Sequence, residues 1–250
     1  MTGDPGLQVR TFQDREALSR AAADLFVSLS QSTIAAQGRF AVALSGGSTP
    51  KGLYTLLGAA PYREAVPWPR VHLFWSDERC VPQDHPESNY KLAYDAFLSK
   101  VSLPSENIHR IRGEEEPGKA ARVYEDDLRR FFGGGVPVFD LLLLGAGEDG
   151  HTASLFPGSP SLHETTRVAL PVYLERPKRD RVTLTLPVLN RAAHVLFLAS
   201  GRAKADVVSE ILEGGNVQRY PAGLVQPVNG DVLWLIDREA AVKLRKPVRT

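Results

Sequence analysis

The sequence contains one cysteine in 250 residues. Cys80 has no partner for an intramolecular disulfide and no companion thiolates for a metal cluster, which fits a reducing compartment and gives redox chemistry little support. No apolar run approaches the ~18–20 residues that span a bilayer, and residues 1–10 show no cationic segment followed by an apolar stretch. A cytoplasmic protein with no membrane partner is expected. An excess of one charge is also missing: 30 Lys and Arg against 29 Asp and Glu leave a net charge of +1, no overall field to hold nucleic acid. Catalytic signatures are absent too. There is no G-x-S-x-G elbow for a serine hydrolase, and the six histidines show no H-E-x-x-H or other paired metal-ligand spacing.

What is present is an α/β pattern. Apolar residues at helical spacing predict helices over 14–36, from Pro50 onward, 87–98, 119–132 and 202–212. Between them lie β-rich runs at 39–44, 71–75, 108–111, 139–144, 181–186, 195–199 and 232–236. The run Leu141-Leu142-Leu143-Leu144 suits a strand covered on both faces, so a mostly parallel sheet between helix layers is expected. No repeat or linker-like tract divides the chain, and residues 1–250 read as one domain. Glu114-Glu115-Glu116 and the basic stretch from Arg176 to Arg181 read as solvated loop charges, except that Arg181 directly precedes a strand and can point into a site.

Ligands of open α/β sheets bind at the carboxyl ends of the strands, and three loops at such ends are unusual. The first is Ser45-Gly46-Gly47-Ser48-Thr49-Pro50. Its glycines let backbone N–H groups approach an anion, its hydroxyls donate, and a helix start follows, so it reads either as a phosphate cradle or as a plain glycine turn with an N-cap. No Gly-Lys-Ser/Thr follows, so it is not a Walker A loop.

The second loop, Ser76-Asp77-Glu78-Arg79-Cys80-Val81-Pro82, packs two acids against an arginine. Such charges are costly at a strand end unless they are paired or used, and the alternative is a surface ion-pair cluster. Cys80 beside Arg79 is a weaker candidate nucleophile, with no histidine placed beside it in sequence. The third loop, Gly145-Ala146-Gly147-Glu148-Asp149-Gly150-His151-Thr152, matches G-x-G-x-x-G. A dinucleotide site needs a helix running on from the third glycine, and Pro157, Gly158 and Pro160 interrupt it, so NAD is disfavoured. The loop presents Asp149 and His151 at a strand end, where histidine serves either as a base near neutral pH or as a helix cap.

Taken in order, these loops resemble the 6-phosphogluconolactonase family. The resemblance is carried by 43–50, by Phe74-Trp75-Ser76-Asp77-Glu78-Arg79-Cys80-Val81-Pro82 with Ser88-Asn89-Tyr90, by 139–140 through 150–157, by 181–187 and by Gly201-Arg202-Ala203-Lys204-Ala205, spanning about 41–241. It implies a Rossmann-like three-layer αβα sandwich of the NagB/RpiA/CoA-transferase-like class, shared with glucosamine-6-phosphate deaminases. It also implies hydrolysis of 6-phospho-D-glucono-1,5-lactone in the pentose phosphate pathway, between glucose-6-phosphate dehydrogenase and 6-phosphogluconate dehydrogenase, by a cytoplasmic monomer. Arg79 and Leu155-Phe156-Pro157 separate the chain from the deaminases, which carry a different residue at the first position and a Phe-Asn-Glu-Pro at the second. Departures from the lactonase pattern are Ala146, where methionine is common, and Gly223, where a larger residue is usual. A sugar-phosphate sensor is a further alternative, although the chain lacks the length and basic face of an added DNA-binding module.

The expected mechanism has His151 as general base with Asp149 placed to orient it, the phosphate against Ser45, Gly46, Gly47, Ser48, Thr49 and Lys204 with one or both of Arg79 and Arg181 nearby, and loop N–H groups or Arg79 at the oxyanion. Asp77 is counted with the catalytic residues, and which of Arg79, Arg181 and Lys204 holds phosphate and which faces the carbonyl stays open. No cofactor or metal is implied. Lactone hydrolysis should therefore persist after exhaustive dialysis against a chelator, and a loss restored by one added metal would contradict that expectation.

Overall fold

The computed structural model describes residues 7–175, 179–214 and 217–245, so Arg176, Pro177 and Lys178 of the basic stretch and positions 1–6 lie outside the described residues. Among the described residues there are nine strands: β1 (Leu7–Phe12), β2 (Phe40–Leu44), β3 (Val71–Trp75), β4 (Asp77–Arg79), β5 (Leu141–Leu144), β6 (Ala169–Val172), β7 (Arg181–Leu184), β8 (His194–Ala199) and β9 (Asp231–Asp237). The helices are α1 (Arg15–Gln37), α2 (Ser48–Leu57), α3 (Tyr62–Ala65), α4 (Asn89–Ala96), α5 (Pro117–Phe132), α6 (Leu186–Leu189), α7 (Ala205–Glu213) and α8 (Arg238–Ala241).

Six strands form a wholly parallel sheet in the order β1-β9-β8-β5-β2-β3. From β2 the chain moves outward to β3, then returns across β2 to β5 and continues the other way through β8 and β9. Right-handed crossovers consequently send α2 and α7 to opposite faces, which makes the three layers of a Rossmann-like sandwich. Both faces are covered. Every residue of β2 and β5 is buried, and Phe197 of β8 stacks on Trp234 of β9 with ring centroids 4.2 Å apart. The expected strand and helix centres coincide with elements of this fold; β6 and the short helices α3, α6 and α8 were not expected, and four further differences follow.

The edge strand β1 lacks a buried alternating face, so its sequence carries little strand signal. The run at 108–111 contributes only a single bridge, Leu73 to Ile108. The run at 181–186 does not join the parallel sheet; its first four residues form β7, and Leu186 opens α6. The second loop is itself a strand, since β4 pairs with β7 and β7 with β6 in a small antiparallel sheet. Because β4 follows β3 after Ser76 alone, this second sheet stands over the carboxyl end of the first.

Away from that end, His72 of β3 has its Nδ1 3.3 Å from His109 Nε2, while His109 Nδ1 lies 2.9 Å from Asp127 Oδ2. Burial first, then the charges of His109 and Arg39, push the His72 pKa down from the ordinary 6.5 to about 4. The unfolded chain then takes up the proton before the folded one does. The stability linked to neutral His72 is complete above pH 6.5 and is lost as pH falls through about 4. Thermal midpoints measured between about pH 7 and about pH 4.5 should fall less steeply for His72→Phe than for the wild type. Equal slopes would contradict this.

Candidate active site

Strands β2 and β5 are neighbours from which the chain departs in opposite directions, and a crevice at their carboxyl ends is where doubly wound sheets bind ligands. A cavity of about 250 Å³ opens there. It is lined by the loop after β2, the loop after β5, the cavity-facing side of β4 and β7, and the turn after β8.

The loop after β2 delivers Ser45, Gly46, Gly47, Ser48 and Thr49 to the cavity wall. Gly47 adopts φ +107 and begins α2 with no side-chain cap, so the first N–H groups of the helix are left for a ligand. Buried Tyr54 braces the loop, accepting from the Ser45 N–H at 3.1 Å and donating to the Ser45 carbonyl at 2.8 Å. The Ser45 hydroxyl is buried and unpartnered. A Cβ at Gly46 would overlap the buried amide of Asn89.

Across the cavity, β4 and β7 pair with Asp77 opposite Thr183 and Arg79 opposite Arg181. Residues two apart on a strand share a face, so Asp77, Arg79, Arg181 and Thr183 project together. Two guanidiniums directly opposite one another repel, and Asp77 on the same face supplies a countercharge, its Oδ2 3.8 Å from Arg181. The Nε groups of Arg79 and Arg181 are both buried without a partner. Burial lowers the Arg181 pKa from its ordinary value; Asp77 acts against this, and the charges of Arg79 and Arg179 add to it. These two buried unpartnered donors on one wall, with the Ser45 hydroxyl on the wall opposite, are what an anion would satisfy.

Asp77 is itself held from two sides. Buried Ser154 donates its hydroxyl to Asp77 Oδ2 at 2.6 Å, and Asn89 Nδ2 donates to the Asp77 carbonyl at 2.9 Å and to Oδ1 at 3.3 Å. Ala153, next to Ser154, takes φ +48, a left-handed conformation costing about 1–2 kcal/mol for a residue with a Cβ. Glu78 points the other way on the pleat. Its carboxylate accepts from the N–H groups of Arg79, Asn89 and Tyr90 and from the Ser88 hydroxyl, at 2.7–3.0 Å, and so caps α4. Burial pushes its pKa up in spite of these bonds. The two acids read as a pair in sequence therefore serve different tasks.

After β5, the His151 ring Nδ1 lies 2.6 Å from Asp149 Oδ1, which also accepts the His151 N–H at 3.1 Å. Burial opposes ionisation of Asp149, but the bonds and charge of His151 outweigh it and hold the carboxyl below its usual range. An ionised carboxylate only accepts, so Nδ1 carries the hydrogen, and in the neutral ring Nε2 presents its lone pair. The ring packs on Phe156, centroids 4.7 Å apart. A Cβ at Gly147 would overlap both His151 and Asp149, so this glycine makes room for the dyad rather than for a pyrophosphate. Lys204, ending the short turn Arg202–Lys204 before α7, completes the lining.

Of the site residues expected from sequence, Ser45, Gly46, Gly47, Ser48, Thr49, Asp77, Arg79, His151, Arg181 and Lys204 all line this one cavity, and Asp149 stands behind His151. Sequence reasoning missed Asn89, Ala153 and Ser154. For Asn89 a signal existed in its place right after the cap Ser88, but nothing local showed that its amide reaches Asp77. Among the described residues no group of three or more His, Cys, Asp or Glu side chains is arranged to hold a metal ion.

Burial, together with the charges of Asp180, Glu78 and Glu116, pushes the Cys80 thiol up to about 12, which argues against a thiolate nucleophile at neutral pH. Cys80→Ser should leave turnover near the wild-type value. Gly46→Ala should instead displace Asn89, lose bonds worth about 1–3 kcal/mol and lower kcat/KM about tenfold or more. Full activity in Gly46→Ala would show that Asn89 does not hold Asp77.

The sequence matches the family described as glucosamine-6-phosphate isomerases/6-phosphogluconolactonase over residues 13–234. A 6-phosphogluconolactonase of Synechocystis is 43% identical over 217 residues, 85% of this chain and 88% of the relative. The human 6-phosphogluconolactonase is 42% identical over 248 residues, 97% of this chain and 95% of its own. The solved structure of 6-phosphogluconolactonase from Trypanosoma cruzi superposes with a TM-score of 0.84 at 30% identity, covering 98% of this chain and 99% of that one. Its sheet, its loops and these relatives agree: the chain belongs to the glucosamine-6-phosphate isomerase/6-phosphogluconolactonase family.

Proposed function

We propose that the chain hydrolyses 6-phospho-D-glucono-1,5-lactone to 6-phospho-D-gluconate, with water activated by His151. The observation that carries this reading is a histidine oriented by a carboxylate at 2.6 Å and facing a cavity whose other walls are built of anion donors. The substrate phosphate lies against the 45–49 loop and Lys204, with Arg181 and Arg79 approaching from the opposite strand pair. His151 Nε2 takes a proton from water as the water oxygen bonds to C1, and Arg79 or loop N–H groups receive the developing oxyanion. Collapse of the tetrahedral intermediate breaks the bond between C1 and the ring oxygen, which takes the proton back from Nε2. Asp77, its oxygens already engaged by Ser154 and Asn89, fixes the arginine pair and is not asked to carry a proton.

Relatives named as lactonases and the Phe156 contact on His151, in place of the deaminase acid, favour hydrolysis over deamination. One continuous hydrophobic core supports a single domain. A cytoplasmic setting fits the lone Cys80.

Acid release from freshly made lactone, measured beside ammonia release from glucosamine 6-phosphate, tests the reading: the first alone is expected, and ammonia release without lactone hydrolysis would overturn it. His151→Ala should lower kcat by roughly 10²–10⁴-fold with substrate binding largely intact. Lys204→Ala should raise KM about 10–100-fold for the phosphorylated lactone and barely affect plain gluconolactone, since a charge-assisted bond to phosphate is lost. Equal losses on both lactones would remove Lys204 from the phosphate site.

A further inference from the structure

Lys204 depends on a turn that has no side-chain cap of its own. The Lys204 N–H donates to the Gly201 carbonyl at 3.0 Å, and Gly201 adopts φ +95, a conformation that glycine tolerates and other residues resist. What fixes Gly201 comes from the neighbouring strand. Asp237, buried at the carboxyl end of β9, accepts the Gly201 N–H on both carboxylate oxygens at 3.0 and 3.1 Å. It also accepts the hydroxyl of Ser200 at 2.5 Å, and Ser200 in turn accepts from Arg15 Nε at 3.0 Å.

Asp237 has an evident second task, capping the short helix α8 through the Ala240 N–H at 2.8 Å. That cap uses Oδ1 alone and needs no charge. The remaining acceptor capacity is turned on the last residues before the lysine turn. Neither Asp237 nor Ser200 lines the cavity, so neither can touch substrate directly.

We propose that Asp237 is a positioning residue for phosphate recognition: through Gly201 and Ser200 it sets the turn that carries Lys204 into the cavity. The proposal rests on the reading that Lys204 binds the substrate phosphate. A lysine ammonium on a flexible stem contributes affinity in proportion to how well its backbone origin is fixed, because freedom left in the turn must be given up on binding. Loosening the turn should therefore weaken binding of the phosphorylated substrate while the His151 chemistry proceeds unchanged.

The test is Asp237→Asn, which keeps a side-chain oxygen for the α8 cap and removes the charge and one acceptor. Expected are a KM for 6-phosphogluconolactone raised about 5–20-fold, a kcat within about twofold of wild type, and an unchanged kcat/KM for plain gluconolactone. In a double-mutant cycle, Asp237→Asn should add little in the Lys204→Ala background. Ser200→Ala, a smaller perturbation, should shift KM in the same direction by about 2–5-fold and carries the test if the first variant does not fold.

Losses shared equally by the two lactones, or additive effects in the cycle, would overturn the role of Asp237. If Lys204→Ala is selective for the phosphorylated lactone and both Asp237→Asn and Ser200→Ala are silent, the inference fails and the phosphate reading stands. If Lys204→Ala depresses both lactones alike, the phosphate reading fails and the role of Asp237 falls with it.

Discussion

Arg79 and Arg181 face each other across the β4–β7 pair, and much of the surrounding structure answers that repulsion. Like charges directly opposite on a sheet are destabilising, and the register sets these two arginines opposite one another. Asp77 relieves part of it from the same face, at 3.8 Å from Arg181. To be useful there Asp77 must be kept from swinging out to solvent, and Ser154 and Asn89 hold it. Each holder has its own structural requirement: left-handed backbone at Ala153 beside Ser154, and a missing Cβ at Gly46 against Asn89. The excess of positive charge that remains is set against open, uncapped N–H groups at α2. On the proposed function, the substrate phosphate would complete the arrangement.

The His151–Asp149 pair occupies a different wall, and that separation comes from topology. The β2 and β5 loops meet because the chain reverses its direction of travel along the sheet between them. One loop supplies backbone donors and the other a histidine with a carboxylate behind it. The small antiparallel sheet that begins one residue after β3 closes the third side with guanidiniums. On the proposed function, the phosphate and the ring carbonyl, at opposite ends of one small substrate, would meet different elements, with Arg79 offered to either end.

Much of this was legible in the chain. The buried strands β2, β5, β8 and β9 have nearly continuous apolar sequence because both their faces are covered, and their centres were predicted for that reason. Strands β1, β4 and β6 were not. The first is an edge strand with no buried stripe, and the other two are short, β4 being built of three charged residues whose strand conformation depends on a partner about a hundred positions away. The loop residues that line the cavity were visible because their types are unusual at strand ends. Their supports were not: nothing local in Asn89, Ser154 or Asp237 reveals the side chain or backbone group it reaches, because those contacts exist only after the sheets are assembled. The division of labour between Asp77 and Glu78 was equally hidden, since it follows from the pleat of a strand that read as a loop.

The most direct measurement is a crystal structure of the protein with the product, 6-phosphogluconate, in the cavity. The expected result is the phosphate against the 45–49 loop and Lys204, with the C1 carboxylate within hydrogen-bond reach of His151 Nε2. A product bound the other way round, its carboxylate on the glycine loop and its phosphate beside His151, would contradict the assignment of the two walls.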